Sequence, residues 1–115
     1  MLIKQFEIWL ANLNPQIGTE TGKTRPLLII QTKLLNSVSH QSTIIYPIIT
    51  NSENGSDILR THLKRGMTNL YNDSDVMIDQ MRAIDNDRLI KKIGSLPSSL
   101  IEKVKGSIMI TLDLE

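Results

Sequence analysis

The stretch Gly18-Thr19-Glu20-Thr21-Gly22-Lys23-Thr24-Arg25-Pro26-Leu27-Leu28-Ile29-Ile30 runs from a polar loop with two glycines straight into an apolar segment. It has the look of a nucleotide-binding P-loop, but two features exclude that. A P-loop has one more residue between its glycines, and it opens a helix whose N-terminus holds the phosphates. Here only Thr19, Glu20 and Thr21 separate the glycines, and Arg25-Pro26 leads into a run of β-formers. The segment therefore enters a strand. A loop carrying Lys23 and Arg25 at the mouth of a buried strand still suits a phosphate. It suits the phosphodiester of a polynucleotide better than a wrapped nucleotide.

Working outward, residues 7–13 read as a strand that Asn14-Pro15 ends, because proline has no ladder donor. The loop at 14–24 is long for a hairpin, and long ordered loops tend to be functional. Residues 27–31 are continuous in apolar character, as expected of a strand buried on both faces. Residues 42–50 form a third strand, in which Pro47 marks an edge or a bulge. A polar loop follows, with a turn at Asn54-Gly55, then a weak strand at 58–63 and a turn at 72–74. Residues 75–84 alternate partly and read as one strand. Asp85-Asn86-Asp87-Arg88 suits a single capped helical turn, with a short strand at 91–93. Beyond Pro97, a good first-turn residue, Leu100, Ile101, Val104, Ile108 and Leu112 fall on one helical face. The sum is a single domain, mainly β with a C-terminal helix: a small twisted antiparallel sheet or barrel with the helix packed on it.

Composition limits the function. The chain has 115 residues, 40% hydrophobic content, and 13 basic against 12 acidic residues, for a net charge of +1. That is enough for one core and excludes the strongly basic nucleic-acid binders, though not a local basic patch. Phe6, Trp9, Tyr46 and Tyr71 are the only aromatics, too few for rows of stacking platforms. The absence of cysteine removes disulfides, thiol nucleophiles and thiolate zinc sites, and it fits a reducing cytoplasm. No apolar segment has the length of a signal peptide core or a membrane span. His40 and His62 sit in polar, exposed-looking segments, and no His/Asp/Glu group has metal-ligand spacing. No metal and no cofactor are expected. Lys91 and Lys92 read as a solvated face.

The run Glu7-Ile8-Trp9-Leu10-Ala11-Asn12-Leu13-Asn14-Pro15, then Gly18 to Pro26, resembles the MazF/PemK (Kid) toxins of bacterial toxin–antitoxin systems. Pro47-Ile48-Ile49-Thr50 and Asp79-Gln80-Met81-Arg82-Ala83-Ile84-Asp85 agree with the same family in order and spacing. The resemblance implies an SH3-like barrel, a homodimer, and a sequence-specific endoribonuclease cutting single-stranded RNA (mRNA) without metal, neutralised by a cognate antitoxin. Two departures stand out. Phe6 replaces the glycine usual before the first acidic residue, and Thr21 stands where glutamine is common. Residues 52–72 match no family pattern.

The resemblance puts the catalytic arginine at Arg25 and the catalytic threonine at Thr50, and it supports Glu20 as a base. A guanidinium offers fixed donors to phosphate oxygens and stays charged. Arg25 could alternatively pair with Glu20 or Asp79; Glu20 could bond its own loop. Thr19, Lys23, Asp79, Gln80 and Arg82 are candidate RNA contacts. If Asp79 and Gln80 lie on a strand, their side chains point to opposite faces, with Arg82 on the face of Gln80. Two other functions fit the same fold. A CcdB-like gyrase poison needs a Trp-Gly-Ile terminus, and this chain closes Thr111-Leu112-Asp113-Leu114-Glu115. An inactive binding module is disfavoured by the presence of both Arg25 and Thr50.

Overall fold

A computed structural model describes residues 2–19, 22–32, 34–35, 41–50 and 59–114. Among these residues, seven strands and one long helix follow in the order β1 (Glu7–Asn12), β2 (Thr24–Ile29), β3 (Ser42–Thr50), β4 (Arg60–Leu63), β5 (Ser74–Met77), β6 (Arg82–Asp85), β7 (Leu89–Ser95) and α1 (Ser98–Thr111). All pairings are antiparallel, in the spatial order β4-β5-β3-β2-β1-β7, with β6 beside β3.

Strand alternation sends successive side chains to opposite faces, and here both faces are buried. On one, Ile8, Leu28, Tyr46, Ile48, Leu63 and Val76 pack beneath α1, which contributes Leu100, Ile101, Val104 and Ile108. On the other, Trp9, Ala11, Leu27, Ile29 and Ile45 meet Ile84 of β6 and Leu89 of β7. The continuous apolar character of Leu27-Leu28-Ile29 follows from this double burial. Leu112, assigned from periodicity to the helix face, lies past the end of α1 and is half exposed.

β6 and β7 flank opposite ends of the β3-β2-β1 segment, yet they share one core. The sheet curls until a 3-10 turn at Asn86–Arg88 joins them. Asp85 caps that turn by accepting the Asp87 N–H at 2.8 Å, and the Arg88 guanidinium donates to the Asn12 and Asn14 carbonyls. The curl is closed by this covalent turn and not by hydrogen bonds, so the expected barrel is a strongly bent open sheet.

Two of the expected strands differ from those observed because of a proline. Ile30 donates its N–H to the Ile44 carbonyl at 3.1 Å, which sets the phase of the β2–β3 ladder. In that phase Leu28 pairs with Tyr46, and the next hydrogen-bonded pair would be Pro26 with Ile48. Pro26 has no N–H to give, and the ladder stops at Leu27–Pro47. Thr24 to Pro26 stay paired with β1 alone, so β2 begins at Thr24 and not at Leu27.

The opposite edge of β3 obeys the same rule. Asn86 donates to the Gln41 carbonyl at 3.0 Å, so odd-numbered residues of β3 face β5 and β6. Pro47 would have to donate to Met77, and β5 ends there. The chain leaves the ladder as a 3-10 turn, Ile78–Gln80, and re-enters as β6. Residues 75–84 are therefore two strands and not one. Asp79 and Gln80 sit on a turn, so strand alternation does not assign them to opposite faces. The expected turn at Asn54-Gly55 lies outside the described residues.

Phe6 has φ of +67°, a conformation that favours glycine and is costly for a bulky side chain. Its N–H donates to the Ile29 carbonyl at 2.7 Å, and its carbonyl accepts from Leu96 at 2.8 Å. The ring packs against the helix-side core, with the Lys105 ammonium 6.0 Å from its centroid. Packing offsets the backbone strain. Phe6→Ala keeps the strain and loses the packing, whereas Phe6→Gly loses the packing but relieves about 1–2 kcal/mol of strain. Urea titrations are expected to rank stability as wild type, then Phe6→Gly, then Phe6→Ala. A Phe6→Ala variant more stable than Phe6→Gly would contradict this origin of the strain.

Candidate functional site

Where Pro26 stops the ladder, β2 and β3 part, and a solvent-open groove of about 600 Å³ lies between them. Thr24, Arg25 and Pro26 line it from β2, and Ile48, Ile49 and Thr50 from β3. Leu10 of β1 and Lys91, Lys92 and Ile93 of β7 extend the first wall. The second is extended by Asn69 to Asn72, from the loop between β4 and β5, and by Ser74 at the start of β5. That loop is fastened across the groove end. Asn69 Nδ2 donates to the Ile93 carbonyl at 3.0 Å, and a Cβ on Gly94 would meet the Thr68 carbonyl oxygen at 2.8 Å.

Arg25 is aimed by the glycine loop. Its Nε donates to the Gly22 carbonyl at 2.6 Å. Gly22 is required for space, since a Cβ there would lie 2.7 Å from Gln16 Cβ. The next residue, Lys23 (φ +68°), closes the loop: its N–H donates to Asn14 Oδ1 at 2.7 Å, and its carbonyl accepts from Leu13 at 2.8 Å. Among the described residues, the terminal nitrogens of Arg25 have no partner. Partial burial draws its pKa below the ordinary arginine value, which still leaves a permanent cation at neutral pH.

Glu7 fixes a second cation. It is 6% exposed, and its Oε1 accepts from the Lys4 N–H at 2.8 Å and from Trp9 Nε1 at 3.1 Å. Its Oε2 meets Lys92 Nζ at 2.9 Å. Burial raises the Glu7 pKa, but the Lys92, Lys4 and Trp9 contacts together outweigh it and hold the carboxyl below its ordinary value. The carboxylate thus ties the start of β1 to β7 and holds the Lys92 side chain. Among the described residues, the groove lining contains three cations and no carboxylate.

The predicted site residues divide into separate groups. Arg25 and Thr50, far apart in sequence, meet on the main groove. Thr19, Asp79, Gln80 and Arg82 line a second, shallower depression with Met81. There Gln80 Nε2 donates to the Thr19 carbonyl at 3.0 Å. Asp79 lies 3.9 Å from the Arg60 guanidinium, so it does not pair with Arg25. Lys23 is exposed and lines neither site. Glu20 and His40 lie outside the described residues. His62 lines neither depression; its Nδ1 lies 2.5 Å from a carboxylate oxygen of buried Asp75. Among the described residues, no three His, Asp or Glu side chains gather as metal ligands.

Sequence reasoning missed Lys91, Lys92, Asn69, Tyr71 and Asn72 as groove residues. The lysines had no signal, because only the β1–β7 pairing brings them to Arg25. The loop falls within residues 52–72, for which the motifs quoted above offer no counterpart.

Solved structures share this fold. MazF (Form-I) from Deinococcus radiodurans superposes with a TM-score of 0.82 at 21% identity, over 99% of each chain. The MazE–MazF complex (Form-II) from the same organism gives 0.77 at 19%, over 100% of this chain and 99% of that one. Among relatives by sequence, Endoribonuclease MazF of Staphylococcus saprophyticus is 31% identical over 98% of this chain and 93% of its own length. Endoribonuclease EndoA of Bacillus subtilis is 29% identical over 99% and 97%. Residues 4–112 match the family described as PemK-like, MazF-like toxin of type II toxin–antitoxin system, and the chain belongs to that family.

The Glu7 geometry carries a pH prediction. Because its folded pKa is depressed, its contribution is complete above the ordinary carboxylate range and is lost as pH falls through the folded value. Glu7→Gln is therefore expected to be less stable than wild type at pH 7, with the two urea midpoints converging as pH falls below the ordinary carboxylate range. A stability difference independent of pH would contradict it.

Proposed function

We propose that this chain is a sequence-specific endoribonuclease that cuts single-stranded RNA in the groove between β2 and β3, by attack of the 2′-hydroxyl and without a metal ion. The observation that carries the reading is the meeting of Arg25 and Thr50 on one groove, whose lining among the described residues also includes Lys91 and Lys92. The endoribonuclease names of the two sequence relatives agree with it.

In the reaction, the 2′-oxygen forms a bond to the adjacent phosphorus while the bond from phosphorus to the 5′-oxygen breaks. The 2′-proton passes to a base, and the departing 5′-oxygen takes up a proton. Excess negative charge gathers on the equatorial oxygens at the transition state. Arg25, held by Gly22 and with its terminal nitrogens open, is suited to neutralise it, since a preoriented charge costs no reorganisation. Thr50 presents a hydroxyl from the opposite wall, able to bond a phosphate oxygen or align the 2′-hydroxyl. Glu20 is the proposed base. Thr19, Gln80 and Arg82, on the second depression, are proposed to contact RNA outside the scissile link. Asp79 is proposed to act there through its Arg60 pair, and Lys23 to contact the backbone from the loop.

The antitoxin is proposed to be an extended peptide that fills the same groove. Strand edges released beside Pro26 offer main-chain groups to such a segment, and a MazE–MazF complex is among the structural relatives. A homodimer belongs to the same reading. The exposed Ile110, Leu112 and Leu114 at the end of α1 are available to be buried in it.

Purified protein is expected to cut single-stranded RNA in excess chelator, leave a 2′,3′-cyclic phosphate or its 3′-phosphate product, and spare a substrate with deoxyribose at the scissile position. Arg25→Ala is expected to lower kcat by about 10²–10³-fold, and Thr50→Ala by about 10- to 100-fold. Cleavage of the deoxyribose substrate would exclude 2′-hydroxyl attack, and full activity in Arg25→Ala would remove the mechanism. Co-expression with the product of the adjacent open reading frame is expected to abolish cleavage and yield a stable complex; no affinity between the two would refute the antitoxin proposal.

A further inference from the structure

Tyr71 is 91% exposed, whereas Phe6, Trp9 and Tyr46 are all packed. It stands on the groove wall and not on a remote surface. Its backbone is held firmly. Leu70 is buried in the helix-side core and its carbonyl accepts from the Gly66 N–H at 3.0 Å. Asp73 accepts the Arg65 N–H at 2.8 Å, and Ser74 Oγ donates to the Asn72 carbonyl at 2.9 Å. The Asn69 bond to Ile93 ties the whole loop to β7. A tyrosine ring on so fixed a frame presents two apolar faces to water and loses only two torsions when one of them is covered.

Lys91 complements it. Of the three groove cations, Arg25 is held by the Gly22 carbonyl and Lys92 by Glu7. Lys91 is exposed and has no ion pair among the described residues. It sits opposite Leu10 on β1, and Leu10 sits opposite Pro26 on β2. Two strand spacings, about 10 Å, therefore separate the Lys91 backbone from that of Pro26, a nucleotide or two along a chain whose phosphate is held by Arg25.

We infer that Tyr71 and Lys91 form a nucleotide subsite of this groove, in which the Tyr71 ring stacks on an unpaired base and the Lys91 ammonium holds a neighbouring phosphate. The inference rests on the RNA-cleaving reading. A ring stack accepts any base, so the subsite adds affinity and register and leaves base identity to other contacts. It also adds a phosphate contact to the groove of a chain whose net charge is only +1.

The test uses the intact protein and an RNA oligonucleotide containing its mapped cleavage sequence, together with a set in which each base in turn is removed. Tyr71→Ala is expected to raise KM about tenfold with kcat within about twofold, and Tyr71→Phe or Tyr71→Trp to restore the wild-type KM. One abasic position is expected to raise KM about tenfold in wild type and to add nothing in Tyr71→Ala. Lys91→Gln is expected to lower the slope of log KM against log salt by about one, and Lys91→Arg to keep it. Unchanged KM in Tyr71→Ala, or abasic effects that persist undiminished there, would overturn stacking. An unchanged salt slope in Lys91→Gln would overturn the phosphate contact. These failures leave the ribonuclease reading intact, whereas a wild-type protein that cuts no RNA overturns both.

Discussion

Two missing backbone donors organise this molecule. Pro26 and Pro47 fall at positions whose N–H would face a neighbouring strand, on opposite edges of the same region of sheet. Pro26 ends the β2–β3 ladder, and the strands part to make the groove. Pro47 ends the β3–β5 ladder, and the chain turns out through Asp79 and Gln80 before returning as β6. Proline in a central strand ordinarily argues against the strand. Here each proline is tolerated because the ladder it would break is the one the fold gives up, while the strand stays paired on its other side.

The groove then gains its electrostatic character from parts distant in sequence. Gly22 positions Arg25, buried Glu7 positions Lys92, and strand pairing brings Lys91 alongside. An arginine or lysine on a flexible stem loses entropy when it engages a phosphate. Anchoring two of the three cations through a carbonyl and a carboxylate places part of that cost in folding rather than in binding. The apolar contribution of Leu10, Pro26, Ile48 and Ile93 lowers the local dielectric and strengthens each charge that lines the site.

Much of this was legible in the residues. The loop spacing and Pro26 excluded a nucleotide loop, β3 was bounded correctly at Ser42–Thr50, Asp85–Arg88 formed its capped turn, and α1 began after Pro97. Arg25 and Thr50, which the resemblance pairs across a long stretch of sequence, line one groove. What escaped was decided by pairing. Whether a proline's missing donor matters depends on which neighbour it faces, so local pattern starts β2 too late and reads residues 75–84 as one strand. Lys91 and Lys92 are ordinary surface lysines until β7 lies beside β1. Phe6, a departure from the family's glycine, is a glycine-like backbone position held by packing, a compensation that becomes visible only in three dimensions.

The central claim is that the fork opened by Pro26 is where RNA lies. Amide chemical-shift mapping of the labelled protein, titrated with its RNA target carrying 2′-deoxyribose at the scissile position, tests it most directly. The account predicts that the largest shifts fall on Thr24, Arg25, Ile48, Ile49, Thr50 and Lys91. Shifts concentrated on α1 or on the outer face of β4, with the fork silent, would contradict it.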